Sequence, residues 1–354
     1  MSAKKLSVCE FSGADKEVLL YLWYDKENPF AKADFMDIKC TQNMFKSASG
    51  AAAITYYILA PEGVEARGIV QIAHGMCEYF SRYTVFAKYL CSLGFIVCGN
   101  DHLGHGASVS RETEFGFFAP RNGWKYLIDD MMQLTDIMQK RYPGLPCFLF
   151  GHSMGSLLAR LYLPQSSQHI SGCILCGTVG PNPFAKTGIR LADTVVHSKG
   201  MLYRSALLSR LAMGNLNRKI ADPQSMFAWL TRDQHIVELY QSDDKCNFIF
   251  TATGFRDLFT LVQRANHVRC FRTTPHDLPI LLIAGDKDPI GGYGDGVRSV
   301  ARMYQAAGQK DVDVIFYKDG RHEIINELNH LDVFGDISRW LENHLEPHKT
   351  DEPA

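Results

Sequence analysis

Two hydrophobic rhythms alternate along this chain. Short apolar runs bounded by Gly, Pro or Asn recur at residues 53–59, 68–73, 95–98, 147–150, 170–176, 280–284 and 312–317. Their length and their Val, Ile, Tyr and Phe content predict strands. Between them, at 83–93, 124–142, 297–307 and 331–344, apolar residues fall at three- and four-residue spacing, which predicts helices. Gly94 stops the first of these and Pro143-Gly144 the second. The alternation breaks near Gly180-Pro181-Asn182-Pro183, and from there to about residue 272 the chain reads as helices and loops. Alternation on both sides of an inserted helical block predicts an α/β fold, with a mostly parallel central sheet, flanking helices and a helical lid. The core is expected at 43–180 and 273–347, and the lid at 181–272. Residues 1–42 are the hardest to read: 18–23 suits a strand or a short helix, and Asn28-Pro29 then breaks the pattern. This extension would add strands at the sheet edge or cover the site. The polar tail at 348–354 is expected to fray.

Composition narrows the class. The chain has 354 residues, 46% of them hydrophobic, enough for one large α/β domain with an insertion. A formal charge of -1 argues against a nucleic-acid partner, which a basic excess would announce. No apolar run is long enough to span a bilayer, and the first ten residues carry no apolar signal segment. The ten cysteines show no zinc spacing. Cys173 and Cys176 stand three apart on a predicted strand, so they point to opposite faces and do not chelate. Buried, reduced thiols and a cytoplasmic location are the expectation.

The chemistry concentrates at Leu149-Phe150-Gly151-His152-Ser153-Met154-Gly155. A predicted strand runs into Gly-X-Ser-X-Gly, and a helix-like run with Leu157, Leu158, Leu161 and Tyr162 follows. A serine hydroxyl is a poor nucleophile unless held beside a base. A sharp strand-to-helix turn lifts Ser153 Oγ clear of the sheet, at the positive end of a helix.

Such a serine needs a base and an acid that orients it, in the chain order Ser, acid, His. Four histidines follow the 280–284 strand: His322, His330, His344 and His348. His322 lies just past the last strand, in a loop at the sheet's carboxyl edge, where a base can reach Ser153. The others fall in the closing helix region or the tail. The acid should lie in Gly285-Asp286-Lys287-Asp288-Pro289, where two carboxylates compete. Asp286 follows the strand directly and could cap the turn. Asp288 lies further into the loop, which Pro289 stiffens, and spacing favours it. An oxyanion hole needs two backbone N–H groups. Met154, after the nucleophile, supplies one, and Met76 in the loop after 68–73 fits the other.

Together these segments resemble the monoacylglycerol lipase, lysophospholipase and serine aminopeptidase-like branch of the α/β-hydrolases. His74-Gly75-Met76-Cys77-Glu78 with Arg82-Tyr83 is similar to that branch's oxyanion loop, and Asp101-His102-Leu103-Gly104-His105-Gly106-Ala107-Ser108 to its segment after the third strand. The elbow, the acid loop and Gly320-Arg321-His322-Glu323 follow in the family's order, so the resemblance spans roughly 45–345. It implies an α/β-hydrolase fold and a triad of Ser153, Asp288 and His322, with Asp288 rather than Asp286. It implies Met76 and Met154 as oxyanion donors. His74, Glu78 and Arg82 become candidate substrate-binding residues, which would brace the oxyanion loop or line the leaving-group side. No metal or organic cofactor is implied. The first 40 residues have no counterpart in a minimal hydrolase core, and the lid is longer than in compact monoacylglycerol lipases.

Between 181 and 270, twelve Lys/Arg stand against seven Asp/Glu, a net of +5. A basic, leucine-rich lid would suit an anionic lipid surface, though a solvated helical face has the same composition. Phe248, Phe250, Phe255 and Phe259 would line an acyl pocket or pack the lid on the core. The expected activity is serine ester hydrolysis through an acyl-enzyme, on acyl-glycerol or lysophospholipid-like substrates. The rivals are an aminopeptidase or amidase on the same residues, and a catalytically silent binding protein of the same fold. The oligomeric state is not legible.

Overall fold

The computed structural model describes residues 7–8 and 37–345. The predicted element at 18–23 and the tail at 348–354 lie outside them. Nine strands form one sheet: β1 Ser7–Val8, β2 Ile38–Lys46, β3 Ala53–Pro61, β4 Gly68–Ala73, β5 Phe95–Asn100, β6 Cys147–His152, β7 Gly172–Cys176, β8 Ile280–Gly285 and β9 Val312–Tyr317. Their spatial order is β1-β2-β3-β5-β4-β6-β7-β8-β9. The first three run antiparallel to their neighbours, and every pairing from β5 to β9 is parallel. The described part of the N-terminal extension therefore adds to the sheet edge.

Burial follows position in the sheet. Every residue of β4, β5, β6, β7 and β8 is buried, as expected of parallel strands covered on both faces. Strand β9 at one edge, and β2, whose outer neighbour β1 covers only Gln42 and Thr41, are largely half-buried or exposed. The polar sequence of β2 explains why it escapes the hydrophobic pattern: a strand next to the sheet edge with so short an outer neighbour buries little, so nothing demands an apolar run.

Helices α1 Thr84–Ser92, α2 Gly123–Arg141 and α3 Met154–Ser166 come before the insertion. The inserted block carries α4 Ala185–Lys199, α5 Ala206–Met213, α6 Gln234–Ser242, α7 Ala252–Ala265 and α8 Val268–Thr273, and α9 Asp295–Ala306 and α10 His330–Asn343 follow it. No strand interrupts the block. Its two ends differ from its middle. Helix α7 packs on α4 and on the core helices α2 and α3, and α8 packs on α3 and α9. Phe250 and Phe255 are buried near this contact, while Phe259 lies against Gly188 of α4 and, with Phe248, lines the cavity beside Ser153. Cys77, Cys91, Cys98, Cys147, Cys173, Cys176, Cys246 and Cys270 are buried free thiols, while Cys40 is disulfide-bonded. No described helix is long and apolar enough to cross a membrane.

Candidate active site

Strand β6 delivers Ser153 to the carboxyl edge of the sheet, and α3 starts one residue later. The turn between them is tight: Ser153 has φ 52° and ψ -115°, a conformation that costs roughly 1–3 kcal/mol and must be held by its surroundings. Those surroundings are close backbones. A Cβ on Gly155 would lie 2.0 Å from Ala73 O, and one on Gly151 would lie 2.6 Å from Gly155 O. Glycine is required at both, at Gly155 because it is wedged against the end of β4 and at Gly151 because the first turn of α3 folds back onto it. Ser153 N–H donates to Cys176 O at 2.9 Å, which ties the elbow to β7.

His322 stands in the loop after β9, and its Nε2 lies 2.9 Å from Ser153 Oγ. Its Nδ1 lies 3.0 Å from Asp288 Oδ1, in the loop after β8. The same Asp288 oxygen accepts the Ile290 N–H at 2.8 Å. Asp288 is fully buried, so its oxygen faces the imidazole without competing water. Asp286 turns elsewhere: its Oδ1 accepts the Asp319 N–H at 2.8 Å and lies 3.4 Å from Lys287 Nζ at the surface. The two carboxylates that compete in sequence are thus separated by environment.

The loop after β4 and the first turn of α3 carry the other predicted residues. Met76 and Met154 line a cavity of about 670 Å³ beside Ser153 and His322, and Glu78 forms part of its wall. His74 and Arg82 lie behind that wall. The His74 ring is fully buried, with Nδ1 donating to Gly75 O at 2.8 Å and Nε2 accepting the His102 N–H at 2.9 Å. Both nitrogens are occupied by backbone, so His74 braces the loop and does not meet a substrate in the cavity. Burial above all lowers its pKa to about 4, which matches its one-donor, one-acceptor pairing. Arg82 spends its guanidinium on Glu78 Oε2 at 3.1 Å and on both Glu323 oxygens at 2.7 and 2.8 Å, under the Tyr240 ring. Of the two roles the sequence offers, bracing the loop or lining the leaving-group side, these partners of His74 and Arg82 favour bracing. Asp101 ties the 101–106 segment to the same loop, accepting N–H bonds from Phe80 at 2.9 Å and Ala107 at 2.7 Å.

Sequence reasoning missed two parts of this site. The segment 228–232 of the inserted block is joined to the base loop: Leu230 O accepts the Glu323 N–H at 2.7 Å, and the Trp229 ring lies 5.3 Å from the His322 ring. Nothing in the residue pattern around Trp229 announces that pairing. The second is His152, whose ring lies 4.8 Å from that of His322 and 2.9 Å from Glu78. The rest of the cavity is largely apolar, lined by Leu157, Val179, Leu258, Val262, Leu216 and Phe227 among others, from core and block together.

Comparison with known proteins agrees with this architecture. The human monoglyceride lipase is 28% identical over 284 residues, covering 78% of this chain and 82% of that protein. The monoacylglycerol lipase of Mycolicibacterium smegmatis is 28% identical over 304 residues, covering 84% and 95%. Among solved structures, a thermostable carboxyl esterase from Bacillus coagulans in complex with glycerol superposes with a TM-score of 0.82 at 29% identity, over 87% of this chain and 99% of that one. The family model described as serine aminopeptidase, S33, matches residues 64–329. Fold, elbow and these matches agree: the chain belongs to the serine aminopeptidase S33 family, in the monoacylglycerol lipase-like branch of the α/β-hydrolases.

Proposed function

We propose that this protein is a serine hydrolase that cleaves lipid esters through an acyl-enzyme, with acyl-glycerols or lysophospholipid-like molecules as substrates. The observation that carries the reading is the hydrogen-bonded line Asp288–His322–Ser153, at 3.0 and 2.9 Å, opening into a mostly apolar cavity. His322 Nδ1–H donates to Asp288, which leaves Nε2 free to take the Ser153 proton as Oγ attacks the ester carbonyl. The Met76 and Met154 N–H groups receive the developing oxyanion. Donors of this kind contribute about 10²–10³-fold each. His322 then gives its proton to the leaving alcohol and draws one from the water that releases the acyl group. A volume of about 670 Å³ suits a single-chain lipid. Large apolar side chains exposed on the inserted block, including Phe184 at 68% and Met226 at 74%, support contact with a lipid surface. The block then acts as a lid at 181–272.

The peptidase alternative needs an unpaired acidic group to hold a substrate amine. The two carboxylates at the cavity wall, Glu78 and Glu323, are both committed to Arg82, and Glu78 also to His152. That favours the ester. The test is labelling with a fluorophosphonate probe and turnover of a panel of monoacylglycerols, lysophospholipids and aminoacyl amides. Ser153→Ala is expected to abolish labelling and turnover, and monoacylglycerols or lysophospholipids to outrun amides. Activity retained in Ser153→Ala would defeat the mechanism, and amide preference would defeat the substrate class.

A further inference from the structure

We propose that His152 is a standing imidazolium that registers the base loop and the oxyanion loop on either side of Ser153, and so acts as a positioning residue for the reaction. This rests on the serine hydrolase reading above. The argument begins with the polarity of hydrogen bonds. His152 Nδ1 lies 2.9 Å from Glu78 Oε1 and Nε2 lies 3.3 Å from His322 O. Neither partner donates. The His322 oxygen is a backbone carbonyl. Glu78 is an ionised carboxylate: its Oε1 also accepts the Gly75 N–H and, at 2.7 Å, the Tyr83 O–H, and its Oε2 faces Arg82 at 3.1 Å. A neutral imidazole has one N–H and would turn a lone pair toward one of these oxygens. At 3% exposure there is no room for that mismatch to be hidden by bulk water.

Charge balance points the same way. Glu78 and Glu323 carry two negative charges into the site, and Arg82 returns one positive charge. A protonated His152 brings the cluster to neutrality, which a buried cluster needs. Among the described residues packed around the ring there is no other cation to do it. Glu78, His74 and Tyr83 approach from the segment after β4, and Cys176 from β7, opposite His152 in register. His322, Glu323 and, behind them, Asp288 approach from the loops after β9 and β8, and Tyr240 of the block closes over Arg82. His152 is accordingly held above the ordinary imidazole range: burial works against the charge, and the Glu78 carboxylate more than restores it. Glu78 is held well below the carboxylate range by the His152 and Arg82 charges, against its own burial. His74 is the contrasting case in the same loop, with one donor and one acceptor role.

The consequence for catalysis is geometric. One N–H of His152 grips the carbonyl of the residue that supplies the base. The other grips the carboxylate that holds Gly75, one residue before the oxyanion donor Met76. Loss of the proton releases one of the two loops.

The test is nitrogen NMR of the intact protein labelled with ¹⁵N-histidine, with His152 assigned by its absence in His152→Asn. Near neutral pH both ring nitrogens of His152 are expected to carry protons. An unprotonated nitrogen in the wild type overturns the proposal. Glu78→Gln is expected to make the ring neutral and to lower kcat on a soluble ester about 10²-fold, with KM changed little, because misplacement rather than lost binding is the cause. Wild-type kcat in folded Glu78→Gln also overturns it. Should that variant not fold, wild-type kcat and ring protonation followed together into the alkaline range decide. The two falling together supports the proposal, and kcat unchanged as the proton leaves refutes it. Fluorophosphonate labelling of the wild type is read separately. Its absence would refute the hydrolase reading and leave the protonation result standing.

Discussion

Asp288 offers the sharpest test of the proposed chemistry, because one of its oxygens does two jobs. Oδ1 accepts His322 Nδ1–H at 3.0 Å and Ile290 N–H at 2.8 Å. Asp288→Ala removes both acceptors, so the imidazole loses its orienting partner and its counter-charge. Removal of the acid from such a triad lowers kcat by about 10⁴-fold. Asp288→Asn behaves differently. The Ile290 N–H selects an oxygen at the Oδ1 position, and that oxygen still accepts from His322, so the productive tautomer survives and only the charge is lost. A charge-assisted hydrogen bond contributes at most about 3 kcal/mol, so the loss is on the order of 10²-fold. Asp286→Ala serves as control, since its partners are Asp319 N–H and the exposed Lys287. It is expected to leave kcat within about threefold, as for surface changes away from a site. The assay is kcat/KM on a short-chain nitrophenyl ester, with a melting curve for each variant to show that it is folded. Asn as damaging as Ala would refute the shared-oxygen argument. Asp286→Ala losing as much as Asp288→Ala would refute the choice of acid.

Two further outcomes are expected. Asp257, buried where the inserted block meets the start of α2, has its pKa raised from 3.8 to about 7, chiefly by burial and against the pull of Arg256. Because the folded form holds that proton more tightly than the unfolded chain, stability falls as pH rises from about 4 through about 7. Asp257→Asn should therefore raise the melting midpoint above pH 7 and change it little near pH 4, with a gain on the order of 1–3 kcal/mol; equal effects at both pH values would refute this. Leu207 and Phe184 are exposed on the block, at 56% and 68%, and neither lines the cavity. Replacing both with Asp should slow hydrolysis of a substrate carried in anionic vesicles about tenfold or more, given what two buried apolar side chains contribute, and leave a soluble ester unaffected. Unchanged vesicle activity would remove the membrane-contact role.

Fold and candidate site were legible to different depths. The parallel strands were visible because strands buried on both faces must be apolar throughout, as β4, β6 and β8 are. The elbow was visible because backbone contact at Gly155 admits no side chain, so the constraint is written in residue type. Strand β2 was not visible, since a strand covered only by the two-residue β1 buries little and makes few demands on its side chains. Asp286 and Asp288 are two residues apart in one loop, and local pattern separates them weakly. Only the approach of the base loop gives one of them an imidazole and leaves the other at the surface.

The sequence by itself determined the sheet from β3 onward, the inserted helical block and the order in which Ser153, Asp288 and His322 arrive along the chain, because each depends on periodicity or on local steric limits. The tertiary structure alone decided which polar groups meet. It gave both His74 nitrogens backbone partners, closed Arg82 between Glu78 and Glu323, and set His152 between two acceptors. These roles follow from partners that lie up to 241 residues away in the chain. The protonation and reach of a buried polar side chain are set by such partners, and no local pattern carries them.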